Sequence, residues 1–144
     1  MTETSGSFTG RTRLLNIVSL TDVVGHELHT VEVVGTHSSP DKNWNNARVT
    51  YWATSDLVAG NGSQRGYYVT EHPDGGRDQG TFEGKVTTSQ GATQIEGTWH
   101  AIDGTGIYAS MRGEGTFSIR MTSATEGECS WQGRYELAAT AQAA

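Results

Sequence analysis

The sequence holds a single cysteine, Cys129, only 2 prolines in 144 residues, and no apolar run near the ~18 residues that cross a membrane as a helix. One cysteine excludes an internal disulfide framework. Basic residues are also few: 10 Lys+Arg against 16 Asp+Glu give a net charge of −6 and a pI of about 5.2. Such a surface lacks the positive field behind non-specific nucleic-acid affinity, so no nucleic-acid partner is expected. The start MTETSGSFTG has neither the basic nor the apolar region of a secretory signal. Together these absences predict a cytoplasmic protein that does not engage membranes. Helical periodicity is missing as well, since no window of 11 to 18 residues repeats apolar positions at helical spacing.

Hydrophobic residues make up 34% of the chain and mean hydropathy is −0.51, values that lean towards disorder. Against that, 3 Phe, 4 Trp and 5 Tyr are spread along the whole chain. A chain of this length buries roughly two-thirds of its unfolded surface, so one folded domain over residues 1–144 is expected. Its ordered part should run over about 6–138, with Met1–Ser5 and Ala138–Ala144 frayed.

The most abundant unusual residue is glycine, at 19 positions. Glycine weakens helices and enables tight reversals, and here it separates short runs that alternate at period 2. The expected strands are Phe8–Leu20, Glu27–Val34, Ala47–Ser55, Gly66–His72, Gly80–Thr87, Ala92–Ala101, Ile107–Met111, Gly115–Thr122 and Ser130–Ala138. Turns are expected at Gly60-Asn61-Gly62, Pro73-Asp74-Gly75-Gly76, Ser89-Gln90-Gly91, Asp103-Gly104 and Glu126-Gly127. A flat meander of eight or nine strands leaves two exposed edges. Closure into an all-β antiparallel barrel of about eight strands removes them, with a β-sandwich as the alternative. Thr36–Asn46 has no strand pattern and is read as the longest loop.

The more apolar face of each strand should point inward. That face carries Val49, Tyr51 and Ala53; Phe82, Gly84 and Val86; Ile95, Gly97, Trp99 and Ala101; Phe117, Ile119 and Met121; and Trp131, Gly133, Tyr135 and Leu137. Two strands are ambiguous. In Gly66–His72 one face is Tyr67, Val69 and Glu71, the other Tyr68, Thr70 and His72. In Glu27–Val34 the face of Val31 and Val33 also bears Glu27 and His29. An inward Glu71 needs a partner or a raised pKa, so Glu71, with His29 or Tyr51 beside it, is the expected acid/base group. Trp99, Trp131, Tyr135, Val49, Phe117 and Met121 are the expected walls of a substrate cup.

Other motifs point to less. His26 and His29 form H-x-x-H, but on a strand their rings face opposite sides, while zinc needs three or four convergent ligands, so no metal is expected. Gly104-Thr105-Gly106-Ile107-Tyr108-Ala109 matches a dinucleotide fingerprint without the helix it requires and is read as turn and bulge. No cofactor is expected. There is no G-x-S-x-G elbow, and nothing near Cys129 in sequence activates it as a nucleophile.

Gly97-Thr98-Trp99, the segment Asp103-Gly104-Thr105-Gly106-Ile107-Tyr108-Ala109-Ser110-Met111-Arg112-Gly113-Glu114-Gly115-Thr116-Phe117, and Gly133-Arg134-Tyr135-Glu136-Leu137 resemble a bacterial family of unknown function. Gly80-Thr81-Phe82-Glu83-Gly84 resembles its G-x-F strand. The likeness covers the C-terminal half, with Met111 where that family usually has leucine. These proteins are similar in fold to allene oxide cyclases and dirigent proteins. The resemblance implies a closed barrel whose relatives include cyclases and isomerases that hold a flexible substrate in an apolar cavity. None of the allene oxide cyclase catalytic residues matches a position here. The expected function is an isomerase, cyclase or lyase for a small hydrophobic or aromatic molecule. A non-catalytic binding barrel and a solid-core structural module are the alternatives, and self-association stays open.

Overall fold

The computed structural model describes residues 1–137. Its strands are β1 (Thr2–Ser19), β2 (His26–Thr36), β3 (Arg48–Val58), β4 (Asn61–Glu71), β5 (Arg77–Ser89), β6 (Ala92–Gly104), β7 (Arg112–Met121) and β8 (Glu126–Glu136). Every neighbouring pair is antiparallel, and β1 with β8 closes the ring into an eight-stranded barrel. The only helical element among the described residues is a 3-10 turn at Gly106–Tyr108. No helix among them is long and apolar enough to cross a membrane. The outer wall bears charges such as Glu83, Lys85, Glu96 and Arg120, where a membrane barrel carries an apolar band.

Hairpin chemistry fixes the strand register. Val58 pairs with Asn61 and Ser89 with Ala92, so both loops have two residues. Ala59 and Gly60 have φ of 52° and 82°, and Gln90 and Gly91 have 52° and 80°, the left-handed pair that suits strand twist. The first turn therefore sits one residue before the expected Gly60-Asn61-Gly62. Glu126-Gly127 also differs from expectation, because both residues already belong to β8 and the reversal precedes them.

Two strand expectations are corrected. Thr2–Arg11 pairs residue by residue with Tyr135–Glu126, so Thr2–Ser5, expected to fray, is part of the seam that closes the barrel. Closure needs a last strand to cover β8, and only β1 is free to do so. Ile107–Met111 is not a strand. Positive φ at Gly106 and Ser110 turns this segment inward, where Tyr108 and Met111 are buried. The expectation for Ala138–Ala144 lies outside the described residues.

The expected inward faces of β3, β5, β6, β7 and β8 do point into the barrel, as their alternating burial shows. Several aromatic rings lie close against glycines of the wall. A Cβ on Gly133 would stand 2.5 Å from the Trp99 ring, one on Gly115 2.7 Å, and one on Gly6 2.6 Å from the Trp131 ring. Glycine here makes room for rings too large for a small barrel with a full set of side chains.

Residues 37–47 form a plug. Asn43 N–H bonds Asp41 Oδ1 at 2.9 Å and Trp44 N–H bonds Asp41 O at 2.9 Å, a turn that drives the Trp44 indole into the barrel end. There it meets Tyr135 at 4.6 Å, His72 at 5.0 Å and Trp131 at 6.1 Å between ring centres. Burying an indole of that size contributes on the order of 5 kcal/mol, an upper bound before ordering costs.

Candidate functional site

Beneath the plug lies a cavity of about 90 Å³ lined by Phe8, His37, Val49, Tyr51, Tyr68 and Phe82, with Asp78, Phe117, Cys129 and others completing the wall. The lining is apolar apart from a few converging groups. Asp78 is its only carboxylate, and neither lysine nor arginine contributes to it. Among the described residues no cluster of three potential metal ligands occurs.

Asp78 faces inward at the start of β5, opposite Thr70 of β4. Its Oδ1 lies 2.5 Å from His72 Nε2, and both side chains are buried. His72 Nδ1 lies 2.7 Å from the Asn43 carbonyl, which can only accept, so Nδ1 carries a proton. One further proton must then lie between Nε2 and the carboxyl group. Whether written as imidazole with carboxylic acid or imidazolium with carboxylate, the pair has no net charge. Burial raises the Asp78 pKa, while hydrogen bonds and charge from His72 and a hydrogen bond from Thr70 oppose the rise. Tyr108 stacks on the imidazole at 3.8 Å and 13°, holding its plane.

Other polar groups are tuned by the same burial. His37 Nδ1 accepts the Trp131 indole N–H at 3.0 Å, which fixes the neutral ring with its proton on Nε2. Burial, helped by the charge of His72, lowers its pKa to about 4. Burial raises the phenols of Tyr51 and Tyr68, the latter also through Asp78, so both remain hydrogen-bond donors. Cys129 is pushed up to about 12 by burial and stays a thiol. The buried Trp99 indole N–H has no partner among the described residues.

The residues expected to form the site are dispersed. Glu71 is corrected outright: it points outward and is exposed, flanked in the sheet by Arg48 and Arg77. The other face of β4, with Tyr68, Thr70 and His72, goes inside because His72 finds Asp78 and the Asn43 carbonyl, whereas an inward Glu71 would displace that pair. His29 does face inward, but at the opposite end, half-buried and bonded to Glu27 at 2.8 Å. Its partner on β3 is Ser55 and that of Glu71 is Arg48, seven residues or roughly 23 Å of strand apart. Glu71 and His29 therefore cannot act together. Tyr51, Val49, Trp99, Phe117 and Trp131 line the cavity, while Tyr135 and Met121 do not. Tyr135 instead anchors the plug, donating its hydroxyl to Asp41 at 2.9 Å and accepting from Asn43 at 3.2 Å. Met121 packs against the core, partly buried.

Sequence reasoning missed Asp78, His72 and His37. Asp78 had a usable signal, because the inward face of Phe82 and Gly84, extended back at period 2, passes through Gly80 to Asp78. His37 had none, since it opens a loop without periodicity.

No protein-family model matches this chain, and no curated protein matches it. Among solved structures the chain is similar to a protein of unknown function of the DUF3224 family from Shewanella oneidensis MR-1. The two share 17% identity with a TM-score of 0.58, over 96% of this chain and 99% of that one. At that identity the likeness concerns the barrel fold alone.

Proposed function

We propose that the barrel is an acid/base catalyst of the isomerase, cyclase or lyase class, acting on a small uncharged apolar or aromatic substrate. The observation that carries this reading is Asp78: a buried carboxyl, paired with His72, set in the wall of an apolar cavity. The resemblance of the C-terminal half to barrels of the allene oxide cyclase-like kind supports the same reaction class. With a net-neutral pair the cavity favours neutral substrates, since an unpaired charge would be costly there.

In this reading Asp78 takes a proton from an activated C–H and returns it at another atom, while His72 keeps the displaced charge balanced. Tyr68 and Tyr51 offer hydroxyl donors for an oxygen on which negative charge develops. The rings of Phe82, Phe117, Trp99 and Trp131 hold the substrate in one shape, which lowers the entropic part of the barrier. No covalent intermediate is involved.

A specific observation favours a second reading. The cavity of about 90 Å³ is well below the ~300 Å³ usual for ligand pockets, as a solid-core structural module would have. One experiment separates the readings. With 3-cyclohexenone as probe, the catalyst should accelerate conversion to the conjugated 2-cyclohexenone over buffer, and Asp78→Asn should abolish the acceleration. Indole N–H resonances of Trp99 and Trp131 that shift without turnover would support a non-catalytic binding barrel. Resonances indifferent to cyclohexenone, benzene and indole alike would leave the solid-core module standing and refute the proposal.

A further inference from the structure

The barrel seam does not run the full length of β1. Pairing with β8 ends at Arg11 opposite Glu126, followed by one hydrogen bond from Thr12 N–H to Thr125 O at 2.7 Å. Beyond it, Arg13–Ser19 pairs with β2 alone, with a bulge between Leu14 and Asn16. Seven residues of strand thus present an edge that meets no other strand among the described residues.

This edge is also where apolar surface collects. Of the twelve exposed large hydrophobic residues, six lie between positions 14 and 24. Leu14, Leu15, Ile17, Val18 and Val23 are each 42 to 51% exposed, and Val24 is 97% exposed. Strand edges that remain solitary are usually blunted by charge or proline, and Leu14–Val18 (LLNIV) has neither. Arg13, the charge that directly precedes it, is engaged by Glu32 at 3.0 Å.

We propose that this edge pairs with the same edge of a second copy, joining two barrels through an antiparallel β1–β1 ladder about a two-fold axis. The segment is complementary to itself in that arrangement. With the axis between Leu15 and Asn16, Leu14 of one copy stands opposite Ile17 of the other, and Thr12 opposite Ser19. The faces agree, since Leu14 and Ile17 pair within the chain with Val31 and His29, which share the inward face of β2. Charge agrees too: Arg11 and Arg13 precede the apolar stretch and Asp22 follows it, so the antiparallel arrangement brings each basic end towards the acidic end of the other copy. A two-fold contact uses one patch twice and closes on itself, leaving no edge for further growth. This inference does not depend on the chemistry proposed for the cavity.

The test uses the full chain in sedimentation velocity from about 5 to about 500 µM, over which a reversible dimer shifts with mass action. The expected result is a species of twice the 15.5 kDa chain mass at the upper end, with amides of Arg13–Ser19 protected from exchange as concentration rises. Ile17→Lys and Leu14→Lys, each at an exposed position and checked for unchanged melting, should weaken the dimer by at least about tenfold. A wild-type monomer throughout the range would overturn the proposal, as would a dimer equally stable in both variants, which would place the interface elsewhere.

Discussion

His37 provides a sharp test of how the interior is organised, because its ring must stay neutral to accept the Trp131 N–H. With a folded pKa of about 4 against 6.5, the unfolded chain binds a proton that the native state refuses throughout that interval. Native stability is therefore intact above about pH 6.5 and falls as the pH drops towards 4. At about 1.4 kcal/mol per pKa unit the loss from this one residue reaches about 3 kcal/mol. In His37→Gln the amide oxygen can still accept from the indole but does not titrate. Urea unfolding of both proteins, followed by tryptophan fluorescence at steps from pH 7 to 4, isolates the His37 contribution because the remaining carboxylates are common to both. The wild type should lose about 3 kcal/mol more than the variant over that range. Parallel pH profiles would mean that His37 protonates as readily folded as unfolded, and the neutral-acceptor argument would fall with it.

Three further outcomes follow from local geometry. Gly80→Ala would set a Cβ against the His100 carbonyl and 2.5 Å from the Tyr68 hydroxyl, so calorimetry should register a loss of roughly 3 kcal/mol. Ala59→Gly relieves a left-handed φ of 52° at an exposed turn and should raise the urea midpoint, by about 0.5 to 1 kcal/mol in stability. His26 sits between Asp22 at 2.7 Å and Asp56 at 2.6 Å, and hydrogen bonds to Asp22 first and Asp56 second raise its pKa. That tie is complete below about pH 6.5 and is lost as pH rises through the elevated value, so the melting difference between wild type and His26→Ala should shrink as the pH is raised above about 6.5.

Legibility in the sequence followed the strength of alternation. In β6, Ile95, Gly97, Trp99 and Ala101 alternate with Glu96, Thr98 and His100, so one face is far cheaper to bury and no other element needs consulting. In β4 the two faces, Tyr67-Val69-Glu71 and Tyr68-Thr70-His72, are nearly equal in apolar content, and local pattern has no preference. What separates them is the presence of a partner, since the cost of burying an ionisable group is set by what it meets. For His72 those partners are Asp78, six residues on, and the carbonyl of Asn43, 29 residues back in a loop without periodicity. The Ile107–Met111 segment failed for a related reason: positive φ at Gly106 and Ser110 takes Tyr108 and Met111 into the barrel mouth instead of along a sheet, and leaves Ile107 exposed.

By itself, then, the sequence determined an all-β chain of glycine turns and period-2 faces, because those are local properties repeated along every strand. Only the tertiary structure decided the chemistry of the interior. The choice of His72 over Glu71, the placing of Asp78 beneath the Trp44 plug and the neutral state of His37 depend on contacts between groups distant in the chain. A buried polar group is stable only where such contacts supply its hydrogen bonds.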